Sequence, residues 1–190
     1  MAKFSSLLFF MGLFLVGHAQ QPEREHRILK SQFPADLYQS FEQGISEAKK
    51  VRCYKEIDSV GTAYSIRFKR GRLQYRMHWD AQKKPARLGF QISEIDFPLE
   101  VFAKVTDEIS KLEKAKIKRM FQYYPLRASS VSQDLRIALQ NSFVDYLQYE
   151  LWVRAKQNGV KKEFVYIFNA QGELWSKREA LPANYDHVLY

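Results

Sequence analysis

The stretch FPADLYQSFEQGISEAKKVRCYKEI, residues 33–57, contains the pattern from which the fold of this chain can be predicted. Pro34 occupies a position where helices commonly begin, and apolar residues follow at helical spacing at Leu37, Phe41 and Ile45. Past residue 49 the apolar residues alternate with polar ones, which is typical of a strand with one buried face. The stretch therefore predicts a helix followed by a strand.

A second stretch, FPLEVFAKVTDEISKLEKAKIKRMF at residues 97–121, shows the same pattern. Aligned in register it places Val105 on Phe41, so both copies carry the same apolar stripe. Alternating segments that predict strands follow each copy. Residues 130–147 have no counterpart in the first copy, and they predict an inserted helix.

The first 19 residues, MAKFSSLLFFMGLFLVGHA, predict a secretory signal peptide. Lys3 precedes an apolar run at residues 4–16, and the small residues Gly17 and Ala19 stand at the expected cleavage point. The run is shorter than the roughly 20 residues that a membrane span needs. We therefore expect an exported protein without a membrane span, periplasmic or extracellular and of bacterial type.

The remaining residues are enough for one domain. We expect a loose arm at residues 20–32 and a single domain at residues 33–190, because the arm is polar and the later apolar patterns are continuous. Within that domain the first unit covers residues 33–95 and the second covers residues 97–180.

The composition favours an anionic partner and gives no sign of a disulfide. The formal net charge of the whole chain is +9, and the signal peptide contributes only one of its lysines. A positive surface attracts anionic molecules. Cys53 is the single cysteine, and its place on the apolar side of a strand predicts a small buried hydrophobic residue rather than a nucleophile.

A strand that runs into a turn also occurs twice: YRMHWDAQ at residues 75–82 aligns with FVYIFNAQ at residues 164–171. A helix that starts at proline, a strand, and a hairpin that runs into an Asp or Asn turn together resemble the PepSY repeat. The tandem arrangement is similar to the PepSY-like group related in fold to beta-lactamase-inhibitor protein, over residues 33–180.

This resemblance implies an α+β fold in which two helix-plus-antiparallel-sheet repeats form one curved sheet with helices on one face. It also implies peptide or protein binding, often inhibitory, rather than catalysis, and it implies no cofactor. The resemblance makes the uncovered face of the sheet the expected binding surface.

An enzyme is the first alternative. His26, His78 and His187 show no metal-ligand spacing, and no catalytic signature such as HExxH or GxSxG is present, so we predict no metal site and no catalytic residues. A secreted hydrolase whose site is assembled from distant residues, for example His78 with Asp80 and a serine, stays open. We interpret His78 as a surface histidine.

A polyanion-binding protein is the second alternative, because cations and aromatic residues share the alternating strands. The signal peptide argues against nucleic acid as a partner. If the apolar rows face the helices, the opposite face carries the basic residues, and we predict that this face binds a peptide or protein partner of acidic character. The predicted partner-binding residues are Arg67, Lys69, Arg72, Arg76, His78, Trp152, Arg154 and Lys156.

Overall fold

The computed structural model describes residues 24–57, 61–180 and 183–189 of the chain. The predicted signal peptide, residues 1–19, lies outside these residues. The helices are α1 (Ala35–Gly44), α2 (Leu99–Ser110) and α3 (Val131–Leu139). The strands are β1 (Arg24–Ile28), β2 (Lys49–Ile57), β3 (Thr62–Arg70), β4 (Leu73–Trp79), β5 (Pro85–Ile92), β6 (Glu113–Pro125), β7 (Gln148–Gln157), β8 (Val160–Asn169), β9 (Leu174–Glu179) and β10 (Ala183–Leu189). None of the helices in the described part of the chain is long and apolar enough to cross a membrane.

All the described strands belong to one sheet, in the order β10-β1-β2-β3-β4-β5-β6-β7-β8-β9. From β1 to β9 each strand pairs antiparallel with the next strand along the chain, while β10 lies parallel to β1. Short connections favour antiparallel pairing from β2 to β5 and from β7 to β9, whereas the three longer connections each contain one of the helices.

The prediction of two helix-plus-sheet repeats is wrong. Strands β5 and β6, which would belong to different repeats, pair continuously from Arg87 opposite Pro125 to Ile92 opposite Met120. The sheet therefore has no boundary between its two halves. The apolar period indicates which residues form a helix or a strand, but it does not indicate which strands pair with one another.

Two boundaries in the sequence prediction also differ from the structure. The segment predicted as a loose arm contains strand β1, which pairs with β2 so that Ile28 lies opposite Cys53. Backbone hydrogen bonds to the neighbouring strands order this segment, and its polar composition does not predict them. The inserted helix ends at Leu139, and Asn141 has a positive φ of 52° just beyond it.

The three helices pack against one face of the sheet. Phe41 of α1, Val105 of α2 and Leu135 of α3 are buried in the same core as Ile66 and Met77 of the strands. This core confirms the predicted apolar stripes of the first two helices and the predicted inward face of β3 and β4. Because residues on a strand alternate between faces, the basic residues between these strand positions point to the other side of the sheet.

Cys53 belongs to this core and is a free thiol. Burial raises the pKa of its thiol to about 11, although the Lys30 ammonium acts in the opposite direction. The prediction of a buried hydrophobic cysteine is confirmed, since a thiol with this pKa is a poor nucleophile at neutral pH.

The sheet curls strongly, and its face opposite the helices is concave. Laid flat, β9 and β10 would lie nine strand spacings apart, about 43 Å, at the two ends of the strand order. Glu179 and Ala183 end and begin these two strands, so the chain between them can span at most about 15 Å. The two ends of the sheet must therefore approach each other.

Strands β5 and β6 approach closely at Gly89, which lies opposite Tyr123 in the ladder. A Cβ atom on Gly89 would stand 2.3 Å from Tyr123 Cδ1 and 2.4 Å from the Gln122 carbonyl oxygen. Because the second neighbour is backbone, it cannot move aside without disturbing the strand pairing. Only glycine therefore fits at position 89 without a steric clash.

We expect Gly89→Ala to lower the free energy of unfolding by about 1–3 kcal/mol, as overpacking of a filled core does. Urea denaturation of the two proteins measures the difference. Gly44→Ala is the matched control, because its new Cβ would meet only the end of the Leu135 side chain, at 3.0 Å. Equal stability of Gly89→Ala and the parent protein would contradict the close approach of β5 and β6.

Candidate functional site

The concave face contains an open pocket with a strongly positive lining, which we call the basic pocket. Its volume is about 380 Å³, and strands β2 to β6 line it. Its charged lining residues are all cations, and no Asp or Glu side chain of the described residues lines it. The cations are Lys50, Arg52, Arg67, Lys69, Arg76 and Arg119. Adjacent antiparallel strands bring these residues together because each contributes its concave-face positions.

Aromatic side chains complete the wall of the basic pocket. Tyr54, Tyr75 and Phe121 line it together with the cations. The Arg67 guanidinium stacks over the Tyr54 ring at 3.9 Å from the ring centroid, and it forms an ion pair with Glu25 of β1. The pocket thus combines positive charge with flat apolar surface.

Deeper in the concave face, eight side chains surround a small cavity of about 20 Å³, and we call them the inner cluster. A cavity of this size holds about one water molecule. The inner cluster consists of Glu25, Glu56, Arg76, His78, Arg87, Glu150, Trp152 and Arg178. These residues come from β1, β2, β4, β5, β7 and β9, so the cluster forms only because the sheet curls.

Glu150 is the best-connected carboxylate of the inner cluster and is 1% exposed. Its Oε2 lies 2.7 Å from Arg87 Nη2, and its Oε1 accepts a hydrogen bond of 2.8 Å from Trp152 Nε1. Burial alone would raise the pKa of Glu150, but the nearby guanidinium groups of Arg87 and Arg76 lower it below its ordinary value. Glu150 is therefore ionised at neutral pH.

Arg76 lines both the basic pocket and the inner cluster, and it is 5% exposed. Its guanidinium lies 5.2 Å from the centroid of the Phe121 ring. Within residues 24–57, 61–180 and 183–189, no carboxylate forms an ion pair with Arg76, and its Nε has no hydrogen-bond partner. A buried cation without a direct partner is costly, so this position stands out.

His78 is buried rather than exposed, and its interpretation as a surface histidine is wrong. It is 8% exposed, and its Nε2 lies 3.2 Å from the Tyr123 hydroxyl oxygen. Burial lowers the pKa of His78 well below its ordinary value, and the positive charges of Arg87, Arg76, Arg67 and Arg178 lower it further. His78 is therefore neutral at physiological pH.

The geometry around His78 gives no support to the hydrolase alternative. Ser65 lies opposite His78 in the strand ladder, but its buried Oγ has no hydrogen-bond partner among the described residues. A base that activates a serine must lie within hydrogen-bond reach of it. The cavity of the inner cluster, which His78 lines, is about 20 Å³ and too small for a substrate. In the described part of the chain no group of three His, Cys, Asp or Glu side chains is placed to hold a metal ion.

The burial of neutral His78 makes stability depend on pH. The pKa of His78 is lower in the folded protein than in the unfolded chain, where it is near the ordinary histidine value of about 6.5. Below this value the unfolded chain binds a proton that the folded protein does not, so stability is fully present above about pH 6.5 and declines as the pH falls. The limiting slope is about 1.4 kcal/mol per pH unit.

Urea denaturation between pH 5 and 7.5 measures this dependence, and the comparison with His78→Gln isolates the histidine. We expect the curve of the variant to be flatter than that of the parent. Glu56 has the opposite effect on the pH dependence of stability, because burial and, to a lesser extent, the charge of Glu25 raise its pKa in the folded protein. Parallel curves for the parent protein and the variant would show that His78 takes up its proton in the folded state.

The structure separates the eight predicted partner-binding residues into three groups. Arg67, Lys69 and Arg76 line the basic pocket, and His78 and Trp152 join Arg76 in the inner cluster. Arg72 is exposed at the turn after β3. The expectation that all of these side chains face solvent is wrong for Arg76, His78 and Trp152, because the curl of the sheet covers them.

The other two predicted residues are paired at the surface of the sheet. Arg154 Nη2 lies 2.7 Å from Glu163 Oε1, and Lys156 Nζ lies 3.8 Å from Glu113 Oε1. Neither of them lines the basic pocket or the inner cluster. Their part in binding stays a prediction.

Sequence reasoning missed several members of the site. Lys50, Arg52 and Arg119 line the basic pocket but were not among the predicted residues. The carboxylates Glu25 and Glu150 were also missed, although Glu150 carried a signal because it stands directly between Tyr149 and the apolar run at residues 151–153. A charge in such a position is buried only with a partner, which predicts a polar cluster.

No family model and no curated protein matches this chain. Similar solved structures include a BLIP-like protein from Bacteroides fragilis, at 13% identity and a TM-score of 0.47, covering 82% of this chain and 92% of that one. A DUF2874 family protein from Bacteroides ovatus has 12% identity and a TM-score of 0.47, covering 77% of this chain and 86% of that one.

A third similar structure is a protein assigned provisionally to the periplasm of Bacteroides eggerthii, at 10% identity and a TM-score of 0.49, covering 80% of this chain and 92% of that one. The neighbours are thus bacterial and include a BLIP-like protein. At these TM-scores the likeness assigns neither a family nor an activity to this chain, and PepSY membership stays a prediction.

Proposed function

We propose that this protein is an exported, non-catalytic binding or inhibitory module that holds an acidic peptide or protein partner at the basic pocket. The observation that supports this proposal is the convergence of six Lys and Arg side chains on one pocket that no described carboxylate lines. Like charges placed together cost free energy in the absence of a partner. An anionic partner would relieve that repulsion.

The chemistry of the basic pocket suits a polypeptide partner. Arginine and tyrosine are residues that commonly anchor protein interfaces, and both line this pocket. The positive field would also steer an acidic partner toward the concave face and speed its association.

A polymeric anion such as nucleic acid fits this surface less well. Proteins that hold a single strand use a continuous cationic groove with successive stacking platforms. Here the cations converge on one pocket of about 380 Å³, while Arg154 and Lys156 are paired with acidic residues elsewhere. The arrangement therefore favours a local acidic feature of a protein over a long polyanion.

Binding of a fluorescent Glu- and Tyr-rich peptide, measured by anisotropy between 50 and 300 mM NaCl, tests the proposal. Lys50 and Arg52 are exposed members of the basic pocket, so reversing both charges leaves the core untouched. We expect Lys50→Glu with Arg52→Glu to weaken binding by about tenfold or more and to flatten its salt dependence.

The matched control is Lys83→Glu with Lys84→Glu, which makes the same change of net charge at an exposed turn outside the basic pocket. The control is expected to bind within about twofold of the parent protein, since screening weakens distant surface charges. Equal loss in both double variants would indicate nonspecific attraction and would overturn the proposal. Tighter binding of an oligonucleotide than of the acidic peptide at 150 mM NaCl would replace it with the polyanion alternative.

A further inference from the structure

We propose that Arg76 forms a subsite for a single carboxylate group at the bottom of the basic pocket, where it receives an acidic side chain or the C-terminal carboxylate of the partner. This inference rests on the proposed function and identifies the chemical group that the pocket recognises.

The first support is the position of Arg76. Its side chain is more than nine-tenths buried, yet it contributes to the lining of the open basic pocket. Its Nε has no hydrogen-bond partner among the described residues. Because Arg76 lines the open basic pocket, a group that enters this pocket can reach its guanidinium.

The second support is that two of the three neighbouring carboxylates are already engaged by other side chains. Glu25 pairs with Arg67, and Glu150 pairs with Arg87 and accepts a hydrogen bond from Trp152. Glu56 forms no ion pair with Arg76 in the described structure. Arg67 and Arg87 thus each have a carboxylate in contact, whereas Arg76 has none among the described residues.

The third support is the hydrogen-bonding chemistry of the Arg76 guanidinium and of the pocket around it. A guanidinium presents parallel N–H donors that match the two oxygens of a carboxylate. Phe121, whose ring centroid lies 5.2 Å from the Arg76 guanidinium, lines the same pocket and offers apolar contact to the rest of an acidic or C-terminal residue. At about 380 Å³ the pocket has room for an acidic or C-terminal residue of a partner.

The experiment uses short peptides as probes and the Nε–Hε resonance of Arg76 as the readout, assigned by its absence in Arg76→Met. The probes are Ac-Gly-Gly-Phe with a free C-terminus, its C-terminal amide, Ac-Gly-Glu-Gly amide, and inorganic phosphate. We expect saturable shifts with one or both of the carboxylate peptides and none with the uncharged amide. The first and third probes separate a C-terminal carboxylate from an acidic side chain.

Arg76→Met is expected to weaken binding of the carboxylate peptide by about tenfold or more, because a hydrogen-bonded charge pair is lost. Arg72→Met is the matched control, since it makes the same substitution at an exposed arginine outside the basic pocket, and it should bind within about twofold of the parent protein. Arg76→Met should also be at least as stable as the parent, because an apolar side chain replaces a buried cation without a direct partner. If Arg76→Met fails to fold, the charge-conserving Arg76→Lys removes the same Nε–Hε resonance and supplies the assignment, so the response of Arg76 in the parent protein still decides the matter.

An unchanged Arg76 resonance at saturating peptide would overturn the inference, as would equal shifts with the uncharged amide. Phosphate that binds as tightly as the carboxylate peptides would also overturn it, since the subsite would then not select a carboxylate. The two proposals can be told apart. If the Lys50 and Arg52 double variant loses acidic-peptide binding but the Arg76 resonance of the parent protein does not respond to the peptides, this inference is wrong and the proposed function is supported.

Discussion

Glu150→Ala is expected to lower the free energy of unfolding by about 3–5 kcal/mol, because breaking a buried ion pair leaves its partner charge uncompensated. Glu150 is 1% exposed, and its removal would strand Arg87 and leave the Trp152 Nε1 donor without its acceptor. The positive charge of Arg76 would also lose a nearby carboxylate. Urea denaturation at pH 7.5 measures the change.

The control for this prediction is the exposed ion pair between Arg154 and Glu163. Its two charges lie 2.7 Å apart, which matches the 2.7 Å pair of Glu150 with Arg87. Glu163→Ala should nevertheless cost less than about 1 kcal/mol, because solvent screens a surface pair. Similar losses for Glu150→Ala and Glu163→Ala would show that the inner cluster is open to water and that the sheet does not close over it.

Phe41→Ala should lower the free energy of unfolding by about 3–5 kcal/mol, since a large side chain leaves a cavity in the core. Phe41 is 1% exposed, and its ring meets the Phe68 ring edge-on at a centroid distance of 5.1 Å. This contact joins α1 to the sheet. Thermal or urea denaturation of the variant measures the loss.

Val105→Ala should cost less than Phe41→Ala, although Val105 is fully buried, because fewer atoms leave the core. Leu99, at the start of α2, is 85% exposed and serves as the control. Leu99→Ala should change stability by no more than about 0.5 kcal/mol. A Phe41→Ala protein as stable as its parent would contradict the packing of α1 on the sheet.

The hairpin turns show how far local sequence predicts local structure. The side chains of Asp80 and Asn169 each accept hydrogen bonds from the backbone N–H groups two and four residues ahead. The residues three positions on, Lys83 and Gly172, both have positive φ, of 60° and 80°. Such turns depend on neighbours in the chain, so the sequence pattern contains the necessary information.

The basic pocket and the inner cluster, in contrast, could be predicted only in part from local sequence. Alternation along β3 and β4 placed Arg67, Arg76 and His78 correctly on the face opposite the helices. It could not indicate that β1 and β9 would close over this face, because that closure depends on the curl of a sheet whose ends are distant in sequence. The basic residues were therefore interpreted as solvent-exposed.

The sequence by itself determined the helices and most of the strands, the core positions such as Phe41 and Val105, and the turns, because these follow from periodicity and from contacts between near neighbours in the chain. The tertiary structure alone decided that the strands form one curled sheet and that Glu25 meets Arg67. It also decided that Arg76 is buried beside the basic pocket without a carboxylate in contact. These features depend on strand pairing and curvature, which bring together residues that no local pattern connects.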